Sequence, residues 1–169
     1  MPIVKEWLKS KFQIYNIQDA SPIEQKEDDI DFKGHKPEGD VVTFEVKIRH
    51  KLYDDILIET VSNTTKGSPG WIYVSKADVL VYVFLIDNKI IKGFIIDMKS
   101  LKNWWKNKGR YNEYPVRYGK TLDSKGKLLY KTQNHAVPER DIPSSAIIYH
   151  PTYGLINPIT EEVDPSYFR

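Results

Sequence analysis

Three side chains suited to phosphodiester hydrolysis lie close together in the sequence: Asp31, Glu45 and Lys47. Carboxylates can hold Mg²⁺, which takes hard oxygen ligands and keeps several of its waters. A bound cation can activate a water molecule and neutralise the charge that develops on a phosphate. A lysine beside it can orient the attacking water or stabilise that charge. The set predicts metal-dependent hydrolysis with Mg²⁺ as the cofactor, for which Mn²⁺ would substitute.

The segment around Glu45 carries a clear strand pattern. Its apolar residues alternate with polar ones over eight positions, as Val42, Phe44, Val46 and Ile48 against Thr43, Glu45, Lys47 and Arg49. A period of two predicts a half-buried strand with Glu45 and Lys47 on the same polar face. Asp31 belongs to a preceding strand that begins at 30–32, and the turn at 34–39 would let the two strands pair.

Other carboxylates compete for a place in this site. Asp29 lies one alternation before Asp31 and is its rival as a ligand, although Asp31 is preferred. Asp55–Val61 is a second strand-like run, and a hairpin centred near Leu52 would place Glu59 opposite Glu45. Two opposed carboxylates repel unless a cation lies between them, so Glu59 is a candidate accessory ligand. Glu6 and Glu24 could add an acid from a helix. The competing interpretation of Glu45 and Lys47 is an exposed cross-strand ion pair.

Charge is distributed unevenly along the chain. Ten basic residues fall between Lys99 and Lys131, whereas Asp19–Asp31 holds six acidic residues and one lysine. An acidic cluster beside a basic segment suits a protein that binds a cation and a polyanion together, although an uneven solvated surface would look the same. The candidate DNA contacts are Lys66, Lys76, Lys102, Lys106, Arg110 and Arg117.

Asp31 and the tripeptide Glu45-Val46-Lys47 together resemble the PD-(D/E)xK nuclease superfamily, which has the restriction-endonuclease-like fold. Longer stretches are similar to small phage and bacterial members of that superfamily, namely 24–31, 55–59, 70–78 and 134–143. The chain departs from the pattern at two positions. Ile30 precedes Asp31 where many members have proline, and Asp55 stands in place of a Gly-Asn pair. Neither departure removes a ligand.

The resemblance implies specific roles. Asp31 and Glu45 would hold the metal with the carbonyl of Val46 as an extra ligand, Lys47 would orient the water, and DNA would be the substrate. A first alternative is a catalytically inactive relative that keeps the fold to bind nucleic acid or a protein partner. A second is an unrelated α/β protein in which the tripeptide is a coincidence.

Local patterns predict the surrounding elements. Amphipathic helices are expected over 3–12 and 98–108, with a helix start at Ser21-Pro22. Val79–Ile86 is typical of a central strand buried on both faces, and 90–96 is expected to pair back with it. An extended piece is expected over 71–74, a loop over 62–70, and short strands over 128–131 and 146–149. The predicted fold class is α/β (α+β), with a mixed central β-sheet flanked by helices.

Length and composition bound the remaining expectations. The 169 residues suit a single domain over 1–169, with a core over about 1–108 and an irregular basic extension over about 109–169. With no cysteine, disulfides and thiolate metal sites are excluded, and a cytoplasmic location is expected. The longest apolar run is too short to span a bilayer, so no membrane association is expected. A homodimer remains open.

Overall fold

The computed structural model describes residues 1–107 and 113–157. It confirms a mixed α+β architecture in which a central sheet combines parallel and antiparallel strands and is flanked by helices. The helices are α1 (Pro2–Lys11), α2 (Pro22–Glu27), α3 (Trp71–Val74) and α4 (Met98–Asn107). The first strands are β1 (Tyr15–Asp19), β2 (Phe32–His35), β3 (Val41–Arg49), β4 (Asp55–Asn63), β5 (Ser68–Pro69), β6 (Val79–Ile86) and β7 (Lys89–Asp97). They are followed by β8 (Val116–Leu122), β9 (Leu128–Pro138), β10 (Ile147–His150) and β11 (Gly154–Leu155).

The central sheet has seven strands in the order β1-β2-β3-β6-β7-β10-β11. Strand β3 lies antiparallel to β2 and parallel to β6, with Glu45 beside Leu80 and Lys47 beside Tyr82. The predicted central strand over Val79–Ile86 is confirmed, and β7 pairs back with it through Asp87 and Asn88, whose φ angles of 49° and 60° make a tight turn. The strand that carries Glu45 is therefore internal and held on both sides.

Each face of the central sheet is covered by a separate apolar cluster. One face packs α1, through Val4 and Leu8, against a layer that includes Val42, Phe44 and Val46. The other face packs α3, α4 and the second sheet against a layer that includes Leu80 and Tyr82. Because side chains alternate along a strand, Glu45 and Lys47 point away from the α1 layer, toward α4 and the second sheet.

The second sheet has four strands in the order β5-β4-β9-β8. The expectation of a core over 1–108 followed by an irregular extension is wrong, because β8 and β9 are long strands and Val137, Ile142 and Ile147 are buried in the core. Alternation in these strands is weak because many of their side chains are exposed. The hydroxyl of Tyr82 accepts a hydrogen bond from the N–H of Leu57 (3.0 Å), which ties the two sheets together.

Two local expectations also fail. The hairpin that would pair Glu45 with Glu59 does not form: β3 pairs with β6, and Glu59 in β4 pairs with Asn134 of β9. The apolar strand β6 fills the position beside β3, and β4 pairs instead with the eleven-residue β9. The piece over 71–74 is a helix rather than an extended segment, since four residues are too few for periodicity to separate the two.

The helices predicted from amphipathic spacing or from residues typical of a helix start are confirmed. Helix α1 begins with Pro2, and α2 has a full capping box in which Ser21 and Glu24 exchange hydrogen bonds. Helix α4 covers the expected amphipathic segment and buries Leu101 and Trp105. Among the described residues, no helix is both long enough and apolar enough to cross a lipid bilayer.

Candidate metal centre

Glu45 and Lys47 form an ion pair on the inner face of β3. Nζ of Lys47 lies 2.8 Å from Oε1 of Glu45, and the carboxylate side chain is only 2% exposed, whereas the lysine is 35% exposed. The expected placement of both residues on one face of a strand is therefore found. The interpretation as an exposed surface pair does not apply, since Glu45 is buried.

The second carboxylate oxygen of Glu45, Oε2, is fully buried. It has no hydrogen-bond partner among the described residues. Burial raises the pKa of Glu45, and the charge of Asp29 adds to the rise, against the opposing effects of Lys47 and Ser75. A buried polar atom without a partner carries a desolvation cost. A cation at this oxygen would remove that cost, so the residue fits a metal ligand.

Asp31 lies at the start of β2, directly before the segment that pairs Phe32 with Phe44. Its N–H donates to the carbonyl of Phe44 (2.7 Å), and its Oδ2 accepts the N–H of Val46 (2.7 Å). The carboxylate is thus held against the tripeptide that contains Glu45 and Lys47. One oxygen is used by the backbone, which leaves Oδ1 as the atom that could reach an ion.

The carbonyl of Val46 faces the same edge of β3. Strand β2 pairs with β3 only up to Phe44, so beyond that point this edge has no partner among the described strands. The N–H of Val46 points to Asp31. In a strand, the N–H and C=O of one residue point to the same side, so this carbonyl is directed toward Asp31 rather than into the ladder with β6. Its position is compatible with the expected role as an extra ligand.

Asp29 occupies a more central position than the sequence alone indicated. Its backbone has φ 50°, a left-handed conformation that aspartate tolerates better than most residues. Burial raises the pKa of Asp29, and the charges of Asp31 and Asp28 add to this, while Lys47 and Lys102 oppose it. Its charge also acts on both Glu45 and Glu59. Asp29 therefore belongs to the same acidic group as Asp31 and remains its rival as a ligand.

Glu59 reaches this group from the second sheet rather than through the expected hairpin. Its Oε1 accepts the N–H of Trp71 at the start of α3 (3.3 Å). A side chain at Gly70 would place Cβ 2.2 Å from the carbonyl oxygen of Glu59, so only glycine lets α3 approach so closely. Burial raises the pKa of Glu59, partly offset by the charge of Lys47. Glu59 thus lies close enough for its charge to act on Lys47, although it does not pair with Glu45 as the hairpin would have required.

Lys47 is the cation that these carboxylates share. Burial alone would lower the pKa of Lys47, but the charge and hydrogen bond of Glu45, with the charges of Glu59 and Asp31, outweigh burial and raise it. The side chain is therefore an ammonium group at neutral pH. Without a metal it is the counterion of the acidic group, and it can donate hydrogen bonds but cannot take up a proton.

Lys102 and Ser75 complete the surroundings of the site. The Nζ of Lys102, on α4, donates to the carbonyl of Ser75, and the Ser75 hydroxyl donates to the carbonyl of Asp29 (3.3 Å). Burial lowers the pKa of Lys102, while the charges of Glu45 and Asp29 oppose that effect. The sequence assigned Lys102 only to a basic DNA-contacting segment. Its closeness to Glu45 depends on how α4 packs, which no local pattern reveals.

The remaining predicted DNA contacts are dispersed. Lys76 pairs with Asp28 (2.9 Å), Lys66 lies in the exposed turn after β4, and Lys106 lies in the last turn of α4. Arg117 is exposed on β8, in the second sheet, and Arg110 lies outside the described residues. Of the described side chains, Lys66, Lys106 and Arg117 therefore lie on three different elements.

The two helical acids have other partners. Glu24 caps α2 and pairs with Lys33 (3.0 Å), and Glu6 pairs with Lys9 (3.3 Å) on the exposed side of α1. Both side chains therefore serve local structure. The histidines of the described residues bring no metal site either: His135 is buried against Trp105, and the half-buried His150 lies against Phe94.

Within residues 1–107 and 113–157, no three histidine, aspartate or glutamate side chains are already gathered closely enough to hold a metal ion. Lys47 lies among the carboxylates instead and balances their charge. Mg²⁺ needs only one or two protein carboxylates, because it keeps several waters. Glu45, with its unpartnered oxygen, and Asp31 can meet that requirement. A scan of protein-family models finds no match, and a search of curated proteins finds no significant relative.

Proposed function

We propose that this chain is a metal-dependent nuclease of the PD-(D/E)xK type, which hydrolyses phosphodiester bonds in DNA. The observation that carries the proposal is the buried carboxylate of Glu45, with one oxygen paired to Lys47 and the other without a hydrogen-bond partner in the described part of the chain. Buried groups of this kind cluster at functional sites because their charge is useful to a ligand. Asp31 stands beside the same strand with a carboxylate oxygen to spare.

Glu45 and Asp31 would hold Mg²⁺, or Mn²⁺ in its place, and the carbonyl of Val46 would add a neutral oxygen. When bound, the ion supplies an activated water and a positive charge beside the phosphate. The hydrogen bond from Val46 keeps the Asp31 carboxylate beside β3 before any ion arrives. Such preorganisation avoids a reorganisation cost during the reaction.

Lys47 acts as a donor in this proposal. Its ammonium group, held protonated by Glu45, Glu59 and Asp31, can donate to a phosphate oxygen or orient a water molecule. Glu59 and Asp29 are accessory carboxylates that keep the local potential negative enough to attract a divalent ion. The absence of cysteine fits a reducing compartment, and we place the protein in the cytoplasm.

A cleavage assay tests the proposal. Plasmid, linear duplex, single-stranded DNA and RNA are incubated with the protein in Mg²⁺, Mn²⁺ or EDTA, and products are separated on gels. We expect cleavage that EDTA abolishes and that Asp31→Ala and Glu45→Ala remove. The matched control is Glu38→Ala, which changes an exposed acid in the turn between β2 and β3. Full activity in both site variants would overturn the assignment.

Thermal melts with a divalent ion separate the active nuclease from an inactive relative. A ligand that binds only the folded state raises the melting temperature with its concentration. We expect Mg²⁺ or Mn²⁺ to stabilise the protein and Glu45→Ala to lose that response. Nucleic-acid binding without any divalent response or cleavage would instead favour the catalytically inactive alternative.

A further inference from the structure

A cleft of about 720 Å³ opens beside the acidic group. Ser75 and Lys102 line it, and both also contact the surroundings of Glu45 and Asp29. The cleft and the candidate metal centre therefore share a wall. The other lining side chains come from the turn between β2 and β3, the start of β6 and the start of α4, including Lys36, Asp40, Lys76, Asp78, Asp97 and Lys99.

The charges that line this cleft are not equally available. The carboxylate of Asp78 accepts the N–H and hydroxyl of Thr43 (3.0 and 3.1 Å), and that of Asp97 accepts the N–H of Ser100 (2.9 Å). Among the described residues, the ammonium groups of Lys36 and Lys99 form no ion pair, and the carboxylate of Asp40 forms none either. Four lysines and three aspartates line the cleft in all, so lysine charge is in slight excess. Lys36, Lys99 and Lys102 are the lysines of this set that form no ion pair with a described carboxylate.

We propose that this cleft binds the phosphate backbone of one nucleic-acid strand and leads it to the acidic group, with Lys102 at the inner end and Lys36 and Lys99 at the rim. The proposal rests on the proposed function, and it names single-stranded nucleic acid or a frayed end as the form the site receives. Lys102 would hold the phosphate nearest to the carboxylates.

Size and chemistry favour a single strand. A volume of about 720 Å³ is typical of pockets that enclose a small ligand, so the cleft has room for a few nucleotides of one strand but not for a duplex. The distance from the rim of the cleft to Glu45 can be measured along β3. Lys36 follows His35, which pairs with Val41 at the start of that strand. Val41 lies four residues before Glu45, which is about 13 Å at about 3.3 Å per residue. Roughly four stacked nucleotides, at about 3.4 Å each, would cover that distance.

The cleft also predicts weak base preference. No aromatic side chain is among its lining residues in the described part of the chain. Proteins that hold bases in a single strand usually stack them on aromatic rings. Recognition here would therefore depend on lysine–phosphate contacts, which are independent of sequence and sensitive to salt.

Salt-dependent binding tests this proposal without cleavage. The probe is a fluorescein-labelled 12-nucleotide DNA strand in EDTA, followed by anisotropy over a series of KCl concentrations, with a blunt hairpin duplex and an RNA strand as further arms. For single strands, log affinity falls linearly with log salt concentration, and each lysine–phosphate contact makes that slope steeper by about 0.7. We expect Lys36→Gln/Lys99→Gln to reduce the slope by about 1.4, and Lys102→Gln by about 0.7.

The matched control is Lys89→Gln. Lys89 is exposed at the opposite end of β7 from Asp97, about 26 Å along the strand. Its loss should leave the slope unchanged, and melting curves verify that all variants remain folded. An unchanged slope in the rim double variant, or tighter binding of the blunt duplex than of the single strand, would overturn the proposal.

The two proposals can fail separately. If the wild-type protein binds single strands with the expected lysine dependence but no divalent ion produces cleavage, the cleft stands and the nuclease assignment falls. If DNA is cleaved but the rim variants bind and cleave like the wild type, the cleft proposal alone is wrong. Equal binding of the DNA and RNA strands would identify the phosphate backbone, rather than the sugar, as the recognised group.

Discussion

The backbone N–H of Val46 donates a 2.7 Å hydrogen bond to the carboxylate of Asp31. This bond joins the start of β2 to the tripeptide that carries Glu45 and Lys47, at the point where the ladder between β2 and β3 ends. Asp31 therefore satisfies a backbone donor, and in the proposed metal centre its second carboxylate oxygen would also bind the ion. Variants can separate these tasks.

Replacing Asp31 by alanine or asparagine should have different effects on stability and the same effect on activity. Asp31→Ala leaves the Val46 donor without its acceptor, which costs about 1–3 kcal/mol. Asp31→Asn keeps an acceptor oxygen and should lose much less. Both remove the charge that a metal needs, so both should lower cleavage by at least about 100-fold. Urea unfolding and initial cleavage rates measure the two effects, and equal destabilisation by both variants would contradict this account.

The pair of Glu45 and Lys47 predicts a non-additive response. Lys47→Met leaves a buried carboxylate without its counterion, and because Lys47 is 35% exposed we expect a loss of about 1–3 kcal/mol, less than for a fully buried pair. Adding Glu45→Gln removes the stranded charge and should recover most of that loss.

A double-mutant cycle from urea unfolding in EDTA measures this coupling. The Lys47→Met variant should also gain more stability from Mg²⁺ than the wild type, since an ion would replace the missing ammonium group. Additive free energies of unfolding would show that the two side chains do not interact.

Local pattern was sufficient to predict much of the frame around this site. The alternation in β3, the apolar run of β6 and the helix start at Ser21-Pro22 each depend on near neighbours in the sequence, and each was predicted correctly. The burial of Glu45 was not predicted, because the face that holds it is covered by elements far away in the chain. The tripeptide itself indicates that Lys47 lies beside Glu45, whereas it does not indicate which elements bury Glu45.

Long-range pairing explains the errors. Strand β4 pairs with β9, whose residues lie more than seventy positions later, with Asp55 opposite Pro138. A nearby hairpin was the simpler expectation, but the parallel partner β6 occupies that side of β3. Glu59 is brought to the site by the second sheet and Lys102 by the packing of α4, and neither arrangement follows from local sequence. The left-handed backbone of Asp29 likewise carried no recognisable signal in the sequence.

Glu59→Gln should stabilise the metal-free protein and weaken its response to metal. Glutamine keeps an oxygen that can accept the Trp71 N–H, while it removes a charge that burial disfavours and that Asp29 repels. We therefore expect a higher melting temperature in EDTA and a smaller increase on adding Mg²⁺. Glu38→Gln, at an exposed turn, is the control and should change neither value. A lower melting temperature in EDTA for Glu59→Gln would show that the charge stabilises the fold.

The pH dependence of stability should differ between the metal-free and metal-bound protein. In the folded state the pKa values of Asp29, Glu45 and Glu59 are raised above their ordinary values, 3.8 for aspartate and 4.5 for glutamate. The folded protein therefore binds protons more tightly than the unfolded chain. These carboxyl groups contribute fully to the free energy of unfolding at pH values below their ordinary pKa. That contribution is lost as the pH rises from the ordinary pKa values through the raised ones.

In EDTA, the melting-temperature difference between wild type and Glu59→Gln should therefore widen as pH rises through that window, with the variant more stable at neutral pH. Saturating Mg²⁺ should reverse the trend, because an ion binds the ionised carboxylates and is displaced by protons as pH falls. Melting curves at intervals from pH 4 to 8, with and without Mg²⁺, measure both slopes. Identical slopes in the two conditions would mean that no divalent ion engages these carboxylates, which would remove the physical basis of the proposed metal centre.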